Sequence, residues 1–365
     1  MLFTRRDYLN ALALGGLVLS ATAGSAKDDV ARSVRARLSL NENPYGPSER
    51  ALAAIWDQFG ALCRYVDNEA DALTPAIIAR EGVSPDQIAL GEILEALGHH
   101  LASHGPTGGE FIYSEPGYAA LVNAAGLSGG VVVGVPLNSD LQNDLAAIAA
   151  KVNDRTRAIY LVNPHNPSGT VSDTAEFIAF VLEMAKRTLV IVDEAYLEFE
   201  PDFDKRTVVG LTRAGENVAV FRTLGKIYGL AGLSIGYAVV PKPLATSLKR
   251  AGIGTPETLT RPALAAGAAS LKDDGYVKTT RAKVIAEREK WNQLFDQFKL
   301  RRADSRGNFV FFETPQPHSE VAAALLAKGI EISRAFPPLD HWVRISIGLP
   351  EENSMARTAI AELLT

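Results

Sequence analysis

The feature that most constrains the fold is a series of short apolar runs separated by helical patterns. The runs 88–90, 111–113, 131–133, 158–162, 189–192, 218–221 and 235–240 are apolar on consecutive positions. Stretches with helical spacing stand between several of them, at 93–102, 118–125, 145–152 and 175–185. A strand that is apolar on both faces must be covered on both faces, and parallel strands need a crossover of about a dozen residues. The pattern therefore predicts an α/β fold whose mostly parallel sheet carries helices on both sides. After Pro243 the chain becomes more helical, with a long stretch rich in Lys, Arg and Glu over 276–298. Strand-like runs at 308–313 and 342–347 then predict a smaller α+β unit. The expected organisation is a leader over 1–26, an arm over 27–50, a large domain over 51–275 and a small domain over 276–365.

The leader reading rests on three signals in order. Arg5-Arg6 lies in a basic start, the stretch 11–20 is apolar, and small residues at 21–26 offer a cleavage site. The apolar stretch is short for a membrane span. This resembles a twin-arginine export leader and predicts an exported, periplasmic protein. A plain N-terminal arm on a cytoplasmic protein is the alternative. The net charge of −5 gives no electrostatic reason to expect nucleic acid or an anionic membrane as partner. A single cysteine, Cys63, excludes an intrachain disulfide and a thiolate-rich metal site.

The chemistry-bearing residues sit where these runs end. Asp193 closes the apolar run 189–192, where a carboxylate is costly unless partnered. It reads either as the partner of a protonated ring nitrogen or as a helix cap. Tyr196 follows three residues later. Asn166 lies in the turn Asn163-Pro164-His165-Asn166-Pro167-Ser168-Gly169, which by composition alone is also an ordinary loop. Lys226 follows the run 218–221 at a Gly-punctuated turn. A loop asparagine, a strand-end aspartate and a lysine in that order suggest a site for pyridoxal phosphate, with an acid holding the pyridinium nitrogen protonated. Arg344, a charge within the apolar 342–347 run, calls for a carboxylate or phosphate partner. Tyr118 is either a stacking ring or core. His99, His100 and His104 have no acidic residue at metal-ligand spacing and read as solvated or capping side chains; no metal is expected.

Taken together, the motifs 40–47, 64–67, 163–169, 193–196, 221–233, 308–310 and 342–348 resemble the fold-type I aminotransferases, nearest the histidinol-phosphate aminotransferase-like branch. The resemblance runs from Leu38 to about Gly348. It implies a homodimer that uses pyridoxal phosphate to move an amino group between an amino acid or similar amine and a 2-oxo acid. By that resemblance Lys226 links covalently to the cofactor and then shuttles the proton. Asp193 holds the ring nitrogen, Asn166 and Tyr196 contact the ring oxygen, and Tyr118 stacks on the ring. Thr223 and Ser234 belong to the phosphate cup, and Tyr65 reaches the cofactor phosphate of the neighbouring subunit. Arg344, Asn43 and Arg334 face the substrate. The chain departs from the family in its cup: Ser234 replaces an arginine, Gly225 replaces a serine, and Gly91-Glu92-Ile93-Leu94-Glu95 replaces a Gly-Ser-x-Glu turn. Another donor is expected to fill in, and Arg222 is one candidate. A decarboxylase, lyase or racemase on the same fold is the second reading, and a non-catalytic binding protein the third.

Overall fold

The computed structural model describes residues 34–67 and 70–365, so the expected leader at 1–26 lies outside the described residues. The compact unit runs from Ala36 to Thr365. Its strands are β1 (Ala36–Leu38), β2 (Ile88–Leu90), β3 (Glu110–Glu115), β4 (Val131–Pro136), β5 (Thr156–Val162), β6 (Leu189–Asp193), β7 (Val218–Thr223), β8 (Gly236–Val239), β9 (Phe309–Glu313), β10 (Ile330–Ile332) and β11 (Trp342–Ser346). Seven of them form one sheet in the order β2-β8-β7-β6-β5-β3-β4. The pairs β4/β3, β3/β5, β5/β6 and β6/β7 are parallel, while β8 is antiparallel to both β7 and β2. Six strands therefore run one way and β8 runs against them. The α/β class read from the apolar runs is the architecture found.

Strand alternation sorts the core into two layers. On one face Ile159, Leu161, Val190, Val192, Val218 and Val220 join a single buried cluster. On the other face Ala158, Tyr160, Leu189, Ile191, Ala219 and Phe221 join a second cluster. The covering helices start where short polar side chains cap free backbone N–H groups. The Asp144 carboxylate accepts from Ala147 N–H, and Asp173 accepts from the N–H groups of Ala175 and Glu176. Three helices matter for the site: α1 (Glu49–Asp57), α2 (Leu94–Ser103) and α3 (Asp274–Phe298). The long α3 is held against β9 by Trp291 and Phe295, whose rings pack on Phe312. Beyond it β9 pairs antiparallel with β11, and β10 pairs parallel with β1. That last pair draws residues 36–38 onto the C-terminal part of the chain.

Candidate active site

In an open α/β sheet the ligand crevice lies outside the carboxyl ends of the strands. Here the ends of β2, β3, β5, β6 and β7 deliver Glu92, Tyr118, Asn166, Asp193 and Thr223 to one cavity of about 550 Å³. Lys226 follows β7, Ser234 precedes β8, and Arg344 comes from β11. Asp193 is 2% exposed. Its carboxylate accepts from Tyr160 Oη at 2.8 Å and from Ala195 N–H at 3.0 Å. Lys226 Nζ donates to Leu40 O at 3.1 Å and lies 5.8 Å from the centre of the Tyr196 ring. Tyr196 Oη accepts from Asn41 Nδ2 at 3.1 Å and from Asn166 Nδ2 at 3.4 Å. Both amides donate to that oxygen, so the tyrosine proton is not used by either of them.

Burial sets the charges. It pushes Asp193 up to about 6, against the pull of Tyr160, Ala195 N–H and Lys226. A protonated ring nitrogen beside it would reverse that shift by supplying the missing opposite charge. Arg344 is 7% exposed, and burial pulls its guanidinium down to about 10. Nη1 donates to Asn166 Oδ1 and Nη2 to Ser39 O at 2.8 Å, but Nε has no hydrogen-bond partner. Among the described residues no carboxylate pairs with this arginine, so a buried cation stands ready for an acidic ligand. Arg334 is exposed at the same cavity's wall, stacked 4.7 Å over Phe336, with Nη1 donating to Ala335 O at 3.0 Å.

Nine of the residues singled out in the sequence line this one cavity: Lys226, Asp193, Tyr196, Asn166, Tyr118, Thr223, Ser234, Arg344 and Arg334. Asn43 does not, and its assignment to the substrate is corrected. Its amide nitrogen donates to Ile227 O at 2.7 Å and to Tyr276 Oη at 2.8 Å, which ties the arm to the Lys226 turn and to α3. The asparagine facing the cavity is Asn41, held in the left-handed region at φ 54° and locked by Ser346 Oγ. Residue type did not separate the two, since both are asparagine; the left-handed φ of Asn41 does. Arg222 is a second correction. It lies on the β7 face opposite Thr223, fully buried, with Nε 3.0 Å from Glu81 and Nη1 3.0 Å from Glu194. It cannot serve the cup. Tyr65 is 97% exposed and does not reach this chain's own cavity. His99, His100 and His104 contact Ser128 Oγ, Ser247 Oγ and His100 O.

Residues 36–360 match the aminotransferase class I and II family. The chain belongs to that family. This aminotransferase is 36% identical over 338 residues to the histidinol-phosphate aminotransferase of Limosilactobacillus fermentum, covering 90% of this chain and 91% of the relative. It is 32% identical over 335 residues to the aromatic amino acid aminotransferase of Cutibacterium acnes, covering 89% and 92%. Among solved structures, the histidinol-phosphate aminotransferase of Sinorhizobium meliloti in complex with pyridoxal-5'-phosphate superposes with a TM-score of 0.83 at 29% identity, covering 94% of this chain and 95% of that one. The activity class is that of a pyridoxal-phosphate-dependent aminotransferase.

Proposed function

We propose that this aminotransferase holds pyridoxal phosphate in the cavity above β6 and β7 and takes an amino donor bearing an acidic group and a 2-oxo acid acceptor. The observation that carries the reading is Arg344, a buried guanidinium with a free Nε in the same cavity as Lys226 and Asp193. The donor set fits the cofactor. Asp193 would face the ring nitrogen, Tyr196 and Asn166 the ring oxygen, and Tyr118 one ring face. Thr223, Ser234 and the uncapped first turn of α2 would meet the phosphate. When bound, the cofactor supplies the electrophilic carbon and the electron sink. Lys226 Nζ is the residue that would hold the cofactor covalently, and its free amine would move the proton at the donor's α-carbon. Arg344 orients the donor's acid group, which places the α-carbon beside Lys226.

Two further parts belong to this proposal. One is a homodimer, supported by an exposed apolar stripe of Leu52, Trp56, Phe59 and Leu62, each at least half exposed and leading to Tyr65. The Tyr65 and Arg64 carbonyls are held by Arg261, so the backbone is fixed while the Tyr65 side chain stands out toward a second subunit. The other is export, supported by the Arg5-Arg6 leader pattern alone. The donor is tested with a panel holding histidinol phosphate, aromatic, acidic and small amino acids. Activity with donors that carry a carboxylate, lost selectively in Arg344→Ala, supports the reading. Equal loss for an amine without an acid group contradicts it.

A further inference from the structure

The end of the cavity that would take the phosphate contains a carboxylate. Thr223 Oγ1 accepts from Gly225 N–H at 2.9 Å and donates its proton to Glu92 Oε1. The threonine proton is thus already committed to Glu92. Ser234 sits in the left-handed region at φ 48° and adds only a hydroxyl. Room for the Glu92 side chain depends on Gly236, where a Cβ would lie 3.1 Å from Glu92 Oε1 and 2.6 Å from Arg222 O. Glu92 lines the cavity and is exposed there, with protein flanking its carboxylate. The charged and titratable groups around it are Asp193 from β6 and Lys226 after β7, with Tyr118 after β3 and Tyr196 after β6 lining the same cavity. Burial, with Asp193 adding to it, brings Glu92 up to about 7, against the pull of Thr223 and Lys226.

We propose that Glu92 makes cofactor retention depend on protonation. The neutral acid donates to the phosphate, whereas the carboxylate repels it and withholds the Thr223 proton. The inference rests on the pyridoxal-phosphate reading above. A phosphate carrying close to two negative charges beside a carboxylate is a like-charge pair, which one proton on the glutamate converts to a hydrogen bond. Raising the pH should therefore loosen the cofactor, and replacing the acid by its amide should abolish that loosening. The amide oxygen can still accept from Thr223, while its nitrogen donates to the phosphate.

The test is the apparent Kd of pyridoxal phosphate for wild type, Glu92→Gln and Glu92→Ala, by equilibrium dialysis from pH 6.0 to 8.5. The phosphate and Lys226 titrate in all three, so the difference between the curves isolates Glu92. At pH 8.5 the Gln variant should bind about tenfold more tightly than wild type, one unit of pH-linked affinity. At pH 6.0 the two should converge. The Ala variant should lose the same pH dependence with a smaller gain. Pyridoxal, which lacks the phosphate, should show no gain in either variant. Borohydride trapping at Lys226 runs alongside. Trapping in all three proteins with superimposable pH curves overturns the role of Glu92 alone. An equal gain for pyridoxal overturns it too, because the effect then does not act on the phosphate. No trapping in any of them overturns both this inference and the proposed function.

Discussion

At the residue scale the site is a set of buried charges awaiting opposite charges. Asp193 illustrates the sign. Its folded pKa of about 6 lies above the usual carboxylate value, so its contribution to stability is present below about pH 4 and lost as the pH rises through 6. Asp193→Asn should therefore stabilise the cofactor-free protein at pH 8 by on the order of 1–3 kcal/mol and leave it unchanged near pH 4. The same variant should lose most of its turnover, since a neutral ring is a poor electron sink. Thermal melts at the two pH values, beside steady-state rates, check both halves; a lower melting point at pH 8 would mean that Asp193 is needed for the fold. Arg344→Ala should cost about 2–5 kcal/mol in kcat/KM for donors with a carboxylate. Cofactor affinity should hold, and a fall in it with unchanged substrate constants would place Arg344 elsewhere. Lys226, Asp193 and Arg344 were legible in the sequence because each is a charge beside an apolar run. Glu92 was visible only as a departure from a family pattern, because its meaning depends on Thr223, which is 131 positions away.

At the scale of elements, period-two alternation decides what a strand can offer. On β7, Phe221 and Thr223 face the cavity, so Arg222 must face the opposite layer. That rule was available in the sequence, and it rules out Arg222 as a phosphate donor without any coordinates. What the sequence did not show is its actual company: Glu81, Glu194, Glu198 and Thr207, drawn from three other segments. Removing one partner of a buried ionic cluster costs about 3–5 kcal/mol. Arg222→Met should lower stability by that amount in urea melts, while the folded fraction retains its cofactor as wild type does. Loss of cofactor without loss of stability would contradict this assignment. The central strands were legible as apolar runs. The reversed direction of β8 was not, because direction is set by pairing partners. The pairing of β1 with β10 was hidden for a different reason: three residues are too few to show a period.

At the scale of the whole molecule, the proposed dimer rests on the exposed Leu52 and Trp56 of α1, on Phe59 and Leu62 just after it, and on the projecting Tyr65. Trp56→Glu should shift the protein toward monomer in sedimentation and weaken cofactor retention in parallel. A monomer with unaltered retention would mean that the second subunit adds nothing to the site. The α/β frame, the cavity and most of its lining follow from runs and punctuation that a reader of the sequence can find, whereas the assembly depends on surface shape. The most direct test of the central claim follows nitrogen itself. The ¹⁵N label should pass from an amino donor to pyruvate or 2-oxoglutarate in the wild type and fail to pass in Lys226→Ala, read by mass spectrometry of the product amino acid. Label transfer undiminished in Lys226→Ala, or release of ¹⁵N-ammonia or of a decarboxylated amine in place of transfer, would contradict it.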